Sequence, residues 1–358
     1  MDLSVYFSIN CILILKIVLM EITTLKDIAS KLGISVATVS KALKDYPDVN
    51  KDTKKKVLHM ANKLNYTPNQ LAVNLRTKQT KTIGVIIPTT VHHFFSKVID
   101  GVIAEAEKKG YLVIILQSDE KLFLEKLHVN LLIDKRVDGI LMSLSNKTNE
   151  FVHLKKIISR NIPLVLFDKV EPSIACSKVR IDDQKAAYDA VSHLIKKGYR
   201  KIAHFRGDLN PKISNDRFEG YRKALLDHQI PYDPSLVYIC NNNKDFEDGY
   251  QNAQKLIKEH KDVDAIFAIT DLVAVGIIKY FNELSIKIPD DIAVVGFSNW
   301  FMSSVVTPTL TTVDQPAYKI GKTATEILLE EIELLHQEQP ITHKEVILPT
   351  HLILRESS

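Results

Sequence analysis

Between Met20 and Thr80 the sequence carries 11 Lys and Arg against 5 Asp and Glu, a local charge of +6. The whole chain of 358 residues sums to only +4, so the rest is slightly acidic. Ammonium and guanidinium groups concentrated in one module suit a polyanion, and that module alone. Other chemistries lack their residues. The three cysteines, Cys11, Cys176 and Cys240, have neither metal spacing nor an even-numbered framework, which fits a reducing cytoplasm. His92 and His93 are adjacent and would point apart on a helix or strand. No GxGxxG occurs, so no dinucleotide is indicated. No nucleophile, acid–base pair or metal set stands out, so neither catalysis nor a metal or cofactor is expected.

The basic module must be positioned by helices. Leu25, Ile28 and Leu32 form one apolar stripe at helical spacing. Ala29 is small enough to let a second helix approach, and Gly33 tolerates the positive φ of a tight turn. Ser35 suits the N-cap of the second helix, and Val39 would plug the gap between the two. This spacing predicts a helix-turn-helix, which places its second helix in the DNA major groove. A third helix over 52–64 carries Val57, Leu58, Ala61 and Leu64 on one face, with Lys54, Lys55 and Lys56 near its start.

From Thr82 the pattern changes. IGVIIP at 83–88 is a short apolar run ending at a proline, as in a buried parallel strand. Amphipathic helices and short apolar runs then alternate, through DGILMS, PLVLFD, KIAHFRG, DAIFAIT and IAVVGF. Such alternation predicts two doubly wound, Rossmann-like α/β lobes, with a cleft at the C-terminal ends of the strands. Residues 1–19 are apolar but interrupted by Ser8, Asn10 and Lys16, and lack the basic start and cleavage site of a signal peptide. Met20 is the expected true start; a membrane tether is the alternative.

The motifs resemble the LacI/GalR family of bacterial transcription regulators. They include I-S-x-A-T-V-S-K from Ile34 to Lys41, Leu64-Asn65-Tyr66-x-Pro68-Asn69 and Leu75. Further on come Ile83-Gly84-Val85, Val137-Asp138-Gly139-Ile140, His193-Leu194-Ile195, Arg217 with Gly220-Tyr221, Val294-Val295-Gly296-Phe297 and Pro308-Thr309-Leu310-Thr311-Thr312-Val313. The resemblance covers about residues 20 to 355. It implies a helix-turn-helix headpiece (20–66), a hinge (67–80) and an effector-binding core (81–358) similar to periplasmic sugar-binding proteins. The N-lobe would span about 81–180 and 315–340, and the C-lobe about 181–312 and 341–358. The three crossings are expected near 179–181, 311–315 and 339–342. The absence of an apolar heptad tail suggests nothing beyond a homodimer.

By the same resemblance, Ser35, Val36, Ala37, Thr38 and Lys41 lie at the major-groove face. Val36 and Ala37 are the expected base selectors, through thymine methyls. Lys41 stands where the family usually carries Arg, without its planar fork. Thr24, Asn50, Thr53 and Tyr66 are expected to contact phosphates; for Thr24 a simple helix cap is the other reading. Leu75 would wedge a central base step, often CpG in the family, and Arg76 would supply a minor-groove cation in place of the usual Arg, which is Val73 here. The hinge helix is too short to be stable alone and would order on DNA. Two headpieces predict a pseudo-palindromic operator.

The cleft is expected to bind a sugar or sugar derivative through Phe95, Asp168, Arg217, Asp271, Ser298 and Trp300. For Asp271 a helix N-cap is the equal alternative. Many family members carry acidic residues where Ser298 and Asn299 stand, which suggests a lost acceptor and an anionic sugar; a purine or other corepressor also fits. Inducer and corepressor responses are both compatible with these residues. A transport protein would lack 24–76, and an architectural DNA binder would not need the two-lobe body.

Overall fold

The computed structural model describes residues 23–67, 79–90, 93–240 and 244–358. Residues 1–22, Leu75, Arg76 and most of the expected hinge lie outside them. The chain divides into two compact units between Gln79 and Thr80.

The first unit is helical: α1 (Leu25–Leu32), α2 (Val36–Leu43) and α3 (Lys51–Lys63). Ile28, Ala29, Val39, Ala42, Val49, Val57 and Ala61 form its core. Gly33 ends α1 in the left-handed region at φ 63°, where a side chain would be strained. The capping residues fit the helix-terminus rules. Asp27 accepts from the Thr24 backbone N–H and hydroxyl, both at 2.7 Å. Ser35 accepts from the Thr38 N–H at 3.0 Å, and Asn50 from the Asp52 N–H at 2.8 Å.

The second unit holds two sheets. The first has the order β11-β5-β4-β3-β1-β2 and is parallel throughout. Its strands are β1 (Thr82–Ile87), β2 (Leu112–Gln117), β3 (Gly139–Met142), β4 (Leu164–Phe167), β5 (Ser177–Ile181) and β11 (Glu345–Leu348). The helices between them are α4 (His93–Lys108), α5 (Leu122–Asp134) and α6 (Val152–Ser159). The second sheet has the order β12-β10-β9-β8-β6-β7, and only β12 (His351–Ile353) runs antiparallel to its neighbour. Its other strands are β6 (Ile202–Arg206), β7 (Val237–Ile239), β8 (Ala265–Ala268), β9 (Ala293–Phe297) and β10 (Thr311–Asp314). With it go α7 (Asp183–Lys196), α8 (Lys212–Asp227), α9 (Asp245–Glu259) and α10 (Asp271–Glu283). α11 (Ala317–His336) packs back on β3, β4 and β5 of the first sheet.

The chain thus crosses between lobes at Asp182, at 315–316 and at 349–350. The last crossing differs from the expected 339–342. Glu345–Leu348 pairs in parallel with Lys178–Ile181, so this segment completes the N-lobe sheet before the chain returns. Period and polarity mark EVIL as a strand but not which sheet it joins, because pairing is non-local.

Glycines set the helix spacing at the C-lobe end of the cleft. A Cβ on Gly249 of α9 would meet the Val273 carbonyl oxygen at 2.1 Å, and one on Gly276 of α10 would meet that of Phe246 at 2.2 Å. The two helices therefore cross with backbones in contact, which fixes the places where each begins. No helix of the described residues is long and apolar enough to cross a membrane.

Candidate functional site

In the helical unit, one face of α2 builds the core through Val39 and Ala42, and the opposite face is open. Ser35, Val36, Ala37 and Lys41 are exposed there, and Thr38 is half-buried. An exposed valine at a helix start leaves its methyls free for apolar contact. Ser35 and Thr38 share a hydroxyl–hydroxyl contact of 2.8 Å, and Lys41 pairs with Asp48 at 2.5 Å. Asn50 and Thr24 sit at the starts of α3 and α1, where their side chains already serve those termini. Thr53 and Tyr66 are half-buried, and burial pushes the Tyr66 hydroxyl up from its ordinary range.

In the core unit, all six residues expected at the effector site border one cavity of about 110 Å³ between the lobes. The reason is topological for five of them, which follow the C-terminal end of a parallel strand or lie in the first turn of the next helix. Phe95 comes from the first turn of α4. Asp168 follows β4, Asp271 opens α10 after β8, and Ser298 and Trp300 follow β9. Arg217 reaches in from α8, where its Nε donates to Asp183 at 2.8 Å and an NH group donates to the Ile269 carbonyl at 2.9 Å. Its guanidinium also lies 3.7 Å from the Phe297 ring centre.

Asp271 is neither the N-cap nor a free acceptor. Thr270 caps α10 by accepting from the Val273 N–H. The Asp271 carboxylate accepts from the Trp300 N–H at 2.6 Å and from the Thr312 hydroxyl at 2.5 Å. It thereby anchors the Trp300 loop. A Cβ on Gly296 would lie 2.3 Å from Asp271 Oδ1, so only glycine leaves room for this carboxylate.

Ser298 and Asn299 bring no carboxylate to the cavity, but the wall holds another one. Asn299 is committed to Asp314 and Arg355, but Asp245, which the sequence did not single out, borders the cavity from the start of α9. Glu120 and Lys169 border it from the N-lobe, with Lys169 Nζ 2.6 Å from Glu120. Burial pushes Asp168 and Asp271 up to about 6 and Asp245 up to about 7. Glu120, Asp168 and Ser298 all have φ between 56° and 115°. Such strain in non-glycine residues gathers where surrounding structure over-determines the backbone, as at ligand sites.

The lobes are joined at the cavity rim. The Asn210 amide donates to the carbonyls of Asn146 and Thr148 at 2.6 and 3.0 Å, and Lys147 pairs with Asp208 at 2.5 Å. Asn146 in turn contacts Glu120 and Lys169. The strap is therefore wired to two residues of the cavity wall.

Residues 24–69 match the family model described as bacterial regulatory proteins, lacI family. Residues 191–358 match the periplasmic binding protein-like domain. The HTH-type transcriptional regulator RegA of Clostridium saccharobutylicum is 33% identical over 94% of this chain and 99% of its own length. The HTH-type transcriptional repressor PurR of Vibrio atlanticus is 33% identical over 90% of this chain and 97% of its own. The structure of the Lac repressor dimer bound to operator and the anti-inducer ONPF matches with a TM-score of 0.82 at 25% identity, covering 94% of this chain and 98% of that one. The exposed face of a helix-turn-helix, the two-lobe core and likeness along nearly the whole length lead to one assignment: this chain belongs to the LacI family of DNA-binding transcriptional regulators.

Proposed function

We propose that this chain binds a pseudo-palindromic operator as a homodimer and is switched by a small effector, a sugar or sugar derivative, in the inter-lobe cavity. The observation that carries the reading is the free face of α2: Val36 and Ala37 stand exposed beside Lys41, with no role in the core of their own unit. Val36 and Ala37 select bases by contact with thymine methyls. Ser35, Thr38, Lys41, Thr53 and Tyr66 hold register on phosphates and base edges, with Thr24 and Asn50 at helix starts beside them. Leu75 and Arg76 act in the minor groove.

The dimer is supported by an apolar stripe on the N-lobe. Phe123, Leu127 and Leu131 recur every fourth residue on α5 and are exposed, and α5 packs on the edge strand β2, whose Leu112 is also exposed. Exposed apolar side chains of this kind on a regulator's core suit a self-complementary contact. Six residues of matching chemistry around one cavity support the effector site. Switching follows by linkage: a ligand that prefers one arrangement of the lobes shifts the dimer toward it, and with it the spacing of the headpieces.

Sequence selection on random duplex DNA at stated salt tests the reading. Recovery of one two-fold-related site, with half-sites about one helical turn apart, is the expected outcome. Failure to enrich any site, with and without a pool of sugars, sugar acids and purines, would reject it.

A further inference from the structure

The cavity wall contains buried polar atoms that lack partners. Asp245 is 4% exposed, Gln315 6% and Ser214 3%. Asp245 Oδ1, Gln315 Oε1 and Ser214 Oγ have no hydrogen-bond partner among the described residues. All three residues border the same cavity. A buried polar atom left without a partner is costly, and more so when it carries charge. Three such atoms, two acceptor oxygens and a hydroxyl, sit on residues that border one space, where a bound molecule can supply the missing partners.

The charges sharpen this. Glu120, Asp168, Asp245 and Asp271 face the cavity, against Lys169 and Arg217. Both cations are already engaged within the protein, Lys169 with Glu120 and Arg217 with Asp183. Among the described residues, the Asp168 carboxylate takes a 3.3 Å contact from the Ser143 hydroxyl. Asp245 takes one from the Thr270 hydroxyl at 2.9 Å through its other oxygen. The start of α9 gives Asp245 a favourable dipole, but no donor reaches Oδ1. An anionic ligand would enter against this excess of carboxylates. A ligand that brings its own cation removes the excess and satisfies the open oxygen with a charge-assisted bond.

We propose that the effector is a polyhydroxylated molecule bearing a protonated amine, with the ammonium received by Asp245 and neighbouring hydroxyls donating to Gln315 and Ser214. The proposal rests on the cavity being the effector site. Asp245 is then the residue that determines specificity by charge, and Trp300 and Phe95 supply the apolar walls.

The test uses matched probes and the full chain. Glucose, glucosamine and glucuronate, and the corresponding galactose set, are titrated while the emission of Trp300, the single tryptophan, and the heat of binding are followed. The expected order is amino sugar, then neutral sugar, then sugar acid, with the amino member at least tenfold tighter than its neutral partner. Asp245→Asn should abolish the preference, so that the amino and neutral sugars bind within about twofold of each other, and Asp245→Ser repeats the test should the amide variant fold poorly. A neutral sugar or sugar acid that binds as tightly as its amino partner overturns the inference but leaves the cavity as the effector site. If no probe changes Trp300 emission or releases heat, the inference and the site reading both fall. The wild-type ranking needs no variant to fold.

Discussion

The DNA-reading face and the inter-lobe cavity solve opposite problems with similar residues. On α2 the polar side chains are exposed or half-buried, and their partners are close in sequence, as Ser35 has Thr38 and Lys41 has Asp48. In the cavity the polar groups are buried, and their partners lie far along the chain, as Asp183 does for Arg217 and Thr312 for Asp271. Exposed groups are screened and cheap to rearrange, so the headpiece face is free to read DNA without threatening its own fold. Buried charges must be compensated by geometry, so the cavity is rigid where it is paired and receptive where it is not. On the proposed function, specificity on the first surface rests on shape and methyl contact, and on the second on unmet polar demand.

The largest effect is expected at Arg217. Arg217→Met should destabilise the core by roughly 3–5 kcal/mol, because Asp183 is left buried without its cation. Differential scanning calorimetry should show the core transition displaced and the headpiece transition unmoved. Loss of less than about 1 kcal/mol would mean that burial does not govern this pair. Gly296→Ala should cost about 1–3 kcal/mol by driving a methyl into Asp271. Trp300 emission should change with it, since Asp271 holds that loop by the Trp300 N–H.

Ser35→Ala should cost the headpiece about 1 kcal/mol through the lost cap, read as helicity loss in thermal melts. Asn210→Ala should weaken effector binding by about five- to tenfold, the equivalent of roughly 1 kcal/mol for an inter-lobe hydrogen bond. Its stability should change little if the strap serves closure rather than folding.

A pH series sharpens the contrast with a smaller effect. Asp245 lies near 7 in the folded protein against an ordinary 3.8, so the folded state holds its proton more tightly than the unfolded chain. Its stabilising contribution is present when protonated and is lost as pH rises through about 7. Burial is the main cause of the rise, with Asp248 and Glu120 adding to it and the Thr270 hydroxyl and Lys169 opposing it. The ligand-free core should melt lower at pH 8 than at pH 5.5, and Asp245→Asn should raise the melting temperature at pH 8 by on the order of 2–4 °C. The smallest stability effect belongs to Val36→Ala, where the melt should barely move while base preference relaxes at one position of each half-site.

Legibility followed locality. Gly33, Ser35 and the apolar stripe of α1 declare the helix-turn-helix within twenty residues, because capping, turn geometry and helical period are short-range effects. Phe95, Asp168, Arg217, Ser298 and Trp300 could be placed at one cleft because parallel strands deliver their C-terminal ends to one side. Asp245 escapes a reading of the sequence because the polar run around it resembles a plain loop. The signal available was the acidic first turn, Asp245, Glu247 and Asp248, before an apolar-periodic helix.

The amino-acid sequence by itself determined the elements, their order, the basic headpiece and the lobes' strand–helix rhythm. Propensity, period and charge act over a few residues. Only the tertiary structure decided that Glu345–Leu348 belongs to the N-lobe, that Asp271 anchors Trp300, and that Asp245 faces the cavity with an oxygen unmet. Those outcomes depend on which distant groups share a low-dielectric space, and burial alone turns a carboxylate at a helix start into a recognition group.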